Sequence, residues 1–205
     1  PNPVFAASKL LAGMKDESGK VLIPGFYEGV SFSPSDIESM AAVPESIEEI
    51  QTQLGVASAE KVGNSYQEAM QYPSLNVRGI RAAWVEKEVR TIIPSEVIIE
   101  IDMRTVKETP SERQVALVKK YIVDQGYHLV ENEPNDEERS SYSKLASFDF
   151  RIGSQPFRAE MESDFGHWLE SGMELVFGSQ YIKTRLTGGS QPMAPFINVL
   201  DIPAV

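Results

Sequence analysis

Apolar residues recur at helical spacing from the start of the chain. Ala7, Leu10, Leu11 and Met14 predict an amphipathic helix over residues 3–14, ended by the polar run Asp16–Lys20. Residues 21–30 are apolar but broken by Pro24 and Gly25, which predicts an irregular packed segment. The next stretch, 33–72, is acidic and punctuated by Pro34, Pro44 and Gly55. Within it Ile47, Ile50 and Leu54 mark a short helix with Gly55 as its C-terminal cap, and Glu45, Glu48 and Glu49 form its solvated face. Leu75–Trp84 and Val97–Val106 read as strands. Ser111 and Gln114 have capping-box spacing at the start of a helix whose buried stripe is Val115, Val118 and Ile122, and Gly126 ends it. Tyr127–Val130 and Ala146–Ile152 read as two more strands around a polar loop. Helix, strand, strand, helix, strand, strand predicts an α+β layer, an antiparallel sheet with helices on one face.

From Pro156 the rhythm changes. Met161, Phe165, Trp168, Leu169, Gly172, Met173 and Val176 make a long apolar helical stripe closed by Gly178. Residues 180–186 (QYIKTRL) look like a strand, 187–192 (TGGSQP) a Gly-rich turn, Met193–Leu200 a helix and the last residues another strand. That is an α/β pattern, so a boundary is expected near 152–157, dividing the chain into 1–152 and 153–205.

Charge narrows the partners. Thirty acidic against nineteen basic residues give a net charge of −11, which argues against nucleic acid and anionic membranes. The absence of cysteine excludes disulfides, thiolate metal sites and thiol nucleophiles, and fits a reducing, cytoplasmic location. No apolar run approaches the roughly 18–20 residues of a membrane span. The 205 residues suffice for one domain or two small ones. The chain opens on Pro1-Asn2-Pro3 and closes on an apolar, strand-like run, so it is expected to be a piece of a longer protein.

Candidate chemistry is sparse. His128 and His167 have no convincing companions for a zinc site, which needs three or four ligands. The TGGSQP turn precedes a helix, where backbone N–H groups favour an anion, although on this signal alone a plain turn is the favoured reading. Arg104 ends a strand whose alternation puts Ile98, Glu100, Asp102 and Arg104 on one face and Val97, Ile99, Ile101 and Met103 on the core face. A guanidinium there offers a carboxylate two parallel hydrogen bonds. The competing reading is a surface pair with Asp102 or Glu100, worth under about 1 kcal/mol.

Four segments in order, PNPVFAASKLLAGMKDESGKVLIPGFYEGV, YPSLNVRGIRAAW, RTIIPSEVIIEIDMRTV and TGGSQPMAPF, resemble the zinc exopeptidases of the aminoacylase, desuccinylase and carnosinase family, the carnosinase-like dipeptidases especially. The resemblance implies that residues 1–152 are the family's ferredoxin-like lid and dimerisation domain, and that 153–205 re-enter the catalytic domain. It implies a homodimer, and a dipeptide or N-acyl amino acid substrate hydrolysed by zinc-activated water with a glutamate as general base. Arg104 matches the lid arginine that holds the substrate carboxylate, and Thr91 the lid threonine that reaches the partner's active site. Gly188, Gly189 and Ser190 match the loop that binds the substrate's C-terminal end. The family's His-x-Asp, bridging aspartate, Glu-Glu pair and late metal-binding histidine have no counterpart here. This chain is therefore expected to bind no cofactor and to catalyse nothing alone, the two zinc or other divalent ions belonging to the intact parent. The family's loop arginine, two residues before the first glycine, is replaced by Leu186, with Arg185 one place earlier. A free-standing ferredoxin-like module, for dimerisation or small-ligand binding without catalysis, is the alternative.

Overall fold

The computed structural model describes residues 1–204; Val205, at the end of the expected last strand, lies outside them. In chain order the elements are α1 (Pro3–Ala12), α2 (Pro34–Ala41), α3 (Ile47–Leu54), α4 (Tyr66–Ala69), β1 (Ser74–Arg81), β2 (Ile98–Arg104), α5 (Ser111–Asp124), β3 (His128–Val130), α6 (Asp136–Ser141), β4 (Leu145–Ser147), α7 (Asp164–Phe177) and α8 (Ala194–Asn198). They group into two compact units. The first comprises 1–26, 73–104 and 111–152; the second comprises 27–72, 105–110 and the residues from 153 onward. The chain thus passes between units at 152/153, and residues 27–72 and 105–110 group with the C-terminal segment.

In the first unit α1 starts on Asn2, whose side chain accepts from the Val4 N–H. Such a cap satisfies a backbone donor that has no partner inside the helix. The core gathers Ala7, Met14, Val21, Ile23, Phe26, Leu75, Val118, Tyr121, Ile122 and Val130. Helix α5 is tied to the N-terminal segment by side chains reaching backbone carbonyls. Tyr121 Oη donates to Leu10 O at 3.1 Å, Arg113 Nη2 to Gly25 O at 2.8 Å and Gln114 Nε2 to Phe26 O at 3.1 Å. Gly13 lets α1 approach α5 closely, because an added Cβ would displace the Tyr121 hydroxyl. Gln114 is fully buried; its Nε2 donates to Phe26 O and its Oε1 accepts no hydrogen bond, so it does not close the capping box expected with Ser111.

Strands β1 and β2 pair antiparallel, with Ser74 opposite Arg104, Leu75 opposite Met103 and a bulge between Val77 and Gly79. The expected single antiparallel sheet is not what the remaining strands make. β3 and β4 pair parallel in a separate two-stranded sheet, and the second strand is only three residues long. A parallel pair needs a long crossover, and the segment 131–144 between them, containing α6, supplies it.

In the second unit, Ser33 and Asp36 form a reciprocal capping box on α2, and Ser46 and Gly55 bound α3. Gly55 sits at φ +66°, the left-handed conformation that glycine tolerates without steric cost. A largely buried ion pair joins Arg158 to Glu108, with Nη1–Oε2 at 3.2 Å and Nη2–Oε1 at 2.5 Å. Helix α7 forms as its periodicity predicts, capped by Ser163, yet none of its residues is buried and Trp168, Leu175 and Val176 are exposed. Residues 180–186 form no strand. No segment of the second unit is assigned as a strand among the described residues, so the expected α/β rhythm after residue 156 is absent there. No helix among the described residues is long and apolar enough to cross a membrane.

Candidate functional site

Arg104 is the last residue of β2. The alternation that places it is visible in burial: Ile99, Ile101 and Met103 are half-buried, whereas Glu100 and Arg104 are exposed. Its Nε donates to Asp102 Oδ2 at 2.9 Å, and 60% of the side chain remains accessible. Around it the same face carries an Arg78–Glu100 ion pair at 3.0 Å and a hydrogen bond from Lys15 Nζ to Asn76 Oδ1 at 3.1 Å. Asn76 stands opposite Asp102 in the ladder, so the face is a polar strip of alternating sign. The surface pair with Asp102 is thus present, and it leaves the guanidinium within reach of solvent.

Thr91 is exposed in the connection between β1 and β2. Arg104 pairs at the other end of the ribbon, opposite Ser74, while Ile98 and Arg81 close the end nearest Thr91. The seven residues from Ile98 to Arg104, six steps apart, span about 20 Å at strand rise. Within one chain the structure therefore does not bring Thr91 and Arg104 together.

Gly188, Gly189 and Ser190 form an exposed bend ahead of α8, in the second unit. Neither glycine has a positive φ. A Cβ added at Gly188 would meet Met70 Sδ at 3.7 Å and one at Gly189 would meet Gln191 Nε2 at 3.9 Å, both ordinary separations. Local backbone and packing do not demand glycine at either place.

Three residues before Gly188, Arg185 sits in a buried polar cluster. Arg185 has a side chain only 7% accessible. Its Nε donates to Asp36 Oδ1 at 2.6 Å, its Nη1 to Gln71 Oε1 at 2.6 Å, and the guanidinium carbon lies 5.7 Å from the centre of the Phe32 ring. Burial pushes the Asp36 carboxyl up, but the Ser33 backbone N–H and hydroxyl and the Arg185 guanidinium outweigh it and hold the group below the usual range. No spacing in the sequence links Asp36 or Gln71 to Arg185, 149 and 114 residues away; the available signal is an arginine ahead of a Gly-rich turn.

The two histidines are apart from any such cluster. His128 stacks on Tyr142 with centroids 3.7 Å apart. His167 is exposed, with Glu162 and Glu170 each 3.9 Å from a ring nitrogen. Among the described residues no group of three or more histidine, aspartate or glutamate side chains is arranged to hold a metal ion. The described residues alone do not make up a dizinc centre.

Comparison with known proteins gives relatives along nearly the whole chain. The Cys-Gly metallodipeptidase of Saccharomyces cerevisiae is 26% identical over 194 residues, covering 93% of this chain and 38% of the relative. The human Beta-Ala-His dipeptidase is 28% identical over 198 residues, covering 94% of this chain and 36% of the relative. In fold, a metallo-carboxypeptidase from Sulfolobus solfataricus superposes with a TM-score of 0.74 at 23% identity, over 99% of this chain and 43% of that one. Human carnosine dipeptidase 1 gives 0.73 at 22% identity, over 98% and 41% respectively. No protein-family model matches the chain. The chain spans about two-fifths of the length of these relatives.

Proposed function

Because the chain is homologous to the Cys-Gly metallodipeptidases and the Beta-Ala-His dipeptidases, we propose that it is part of a metal-dependent hydrolase of dipeptides or N-acyl amino acids. The carrying observation is that matches in sequence and in fold each run over more than nine-tenths of this chain. In this reading residues 1–152 act as a ferredoxin-like lid and dimerisation domain, and 153–205 belong to the catalytic domain. The chain supplies substrate contacts, and the two divalent ions of the whole protein, zinc in the first instance, are held by residues outside it.

Arg104 takes the substrate carboxylate. An exposed pair such as Arg104–Asp102 contributes under about 1 kcal/mol, so exchanging Asp102 for a substrate carboxylate costs little, while the desolvated pair formed on binding is stronger. Gly188, Gly189 and Ser190 offer backbone N–H groups to the same end of the substrate; side chains are missing where neither φ nor packing forbids them, which suits close approach by a ligand. Thr91 serves the partner subunit of a homodimer. The length of the ribbon, about 20 Å, favours that arrangement over one within a single chain.

Hydrolysis assays on the protein that carries this chain, with Cys-Gly and β-Ala-His and with zinc or manganese added, test the reading. Metal-dependent turnover is expected. Absence of turnover of every dipeptide with every divalent ion tried would remove the proposal.

A further inference from the structure

The buried Arg185 cluster lies outside every role assigned above. Asp36 uses both carboxylate oxygens: Oδ2 accepts from the Ser33 N–H and hydroxyl that cap α2, each at 2.9 Å, and Oδ1 accepts from Arg185 at 2.6 Å. Gln71, 1% exposed, is likewise engaged at both ends of its amide, with Nε2 donating to Gln67 O at 3.1 Å and Oε1 accepting from Arg185. The guanidinium plane is thereby fixed by two acceptors from different parts of the 27–72 segment, beside the Phe32 ring. Phe32 is in turn held edge-on by Tyr72, with centroids 5.6 Å apart. Met70, next to Gln71, faces Gly188 three residues beyond Arg185. The turn is thus tied down at one point and apposed at a second.

We propose that Arg185 is a positioning residue for the Gly188–Ser190 turn, holding its backbone N–H groups in place for the carboxyl end of a peptide substrate through its fork to Asp36 and Gln71. The inference rests on the preceding reading of that turn as substrate-binding. A planar guanidinium is needed because two acceptors must be met at once in fixed directions, which the point charge of a lysine ammonium does not do. The side chain acts through the backbone and touches no substrate. Losing the fork loosens the turn, so it weakens substrate binding more than it slows the bound substrate.

Asp36→Asn keeps the size of the residue and an oxygen for the α2 cap while removing the charge that Arg185 meets. Arg185→Lys keeps the charge and removes the fork. Both are compared with wild type in the protein that carries this chain, by amide hydrogen exchange of residues 186–191 and by steady-state kinetics on a dipeptide. Exchange in that peptide is expected to rise at least tenfold while α2 and α7 stay as protected as in wild type. KM is expected to rise about tenfold with kcat changed less than threefold. Unchanged exchange in both variants would overturn the proposal, and so would a uniform rise across the whole second unit, which marks a purely structural tie. Loosened exchange with an unchanged KM would also overturn it. If wild type cleaves no dipeptide, the reading it rests on falls, while the exchange comparison still decides whether Arg185 holds the turn.

Discussion

At Asp36 one oxygen caps a helix and the other meets Arg185, and this gives the second unit a definite response to acid. Burial raises the carboxyl, the Ser33 and Arg185 hydrogen bonds lower it by more, and the net position is below the usual carboxylate value. Glu108 is similar: burial raises it, and the Arg158 pair more than offsets that. A group whose folded pKa is depressed contributes stability that is fully present above its unfolded value, about 3.9 for Asp and 4.3 for Glu. The contribution is lost as pH falls through the lower folded value. Urea unfolding followed from pH 6 to pH 3 should therefore show a midpoint that drops steeply below about pH 4. In Asp36→Asn the drop should be shallower. An identical acid limb in wild type and variant would mean that the Asp36 pairing carries no stability. Such a cluster is illegible in the sequence, because hydrogen bonds between residues more than a hundred positions apart leave no spacing signal. Arg104 is the opposite case: period-two alternation of Ile99, Ile101 and Met103 against Glu100 and Arg104 is enough to place it on the polar face.

Among the elements, those with local signals are readable. Helices α1, α3, α5 and α7 follow from apolar spacing, and Gly55 and Gly178 end helices where expected. Helix α2 is not evident from spacing, although Ser33 and Asp36 carry its capping box, because Ile37 and Met40 are too few apolar positions to stand out in an acidic stretch. The misread strand at 180–186 and the parallel pairing of β3 with β4 depend on which neighbour a segment finds, which local pattern does not encode. The β1–β2 ribbon carries a consequence of its own. Val85, Val89, Ile92 and Ile93 in its connection are 53–73% exposed, and Ile80 on β1 is 58% exposed. Exposed apolar side chains concentrated in one connection are what a partner surface would cover. If the proposed homodimer buries it, light scattering at micromolar concentration gives about twice the 22.7-kDa chain mass, and Ile93→Glu shifts the population to monomer. A wild-type monomer would remove the dimer, and with it the role of Thr91 across the two-fold axis.

Under the proposed function, labour is divided in the molecule as a whole: this chain would recognise the carboxyl end of the substrate, and the metal chemistry would reside elsewhere in the protein. A match spanning only about two-fifths of each relative is consistent with that division. The resemblance to the dipeptidases is legible because four segments keep their order along the chain, whereas the grouping of 27–72 with the C-terminal part rests on packing distant in sequence. The most direct measurement compares wild type with Arg104→Ala, in the protein that carries this chain, on a dipeptide with a free C-terminal carboxylate and on the same dipeptide amidated. Truncating one partner of a desolvated charged pair costs about 3–4 kcal/mol, or two to three decades in kcat/KM. Carboxylate recognition by Arg104 predicts that loss for the free carboxylate and an effect under about threefold for the amide, in which the charge is already gone. Equal losses on both substrates, or a loss under threefold on the free dipeptide, would contradict it and return Arg104 to a surface pair with Asp102.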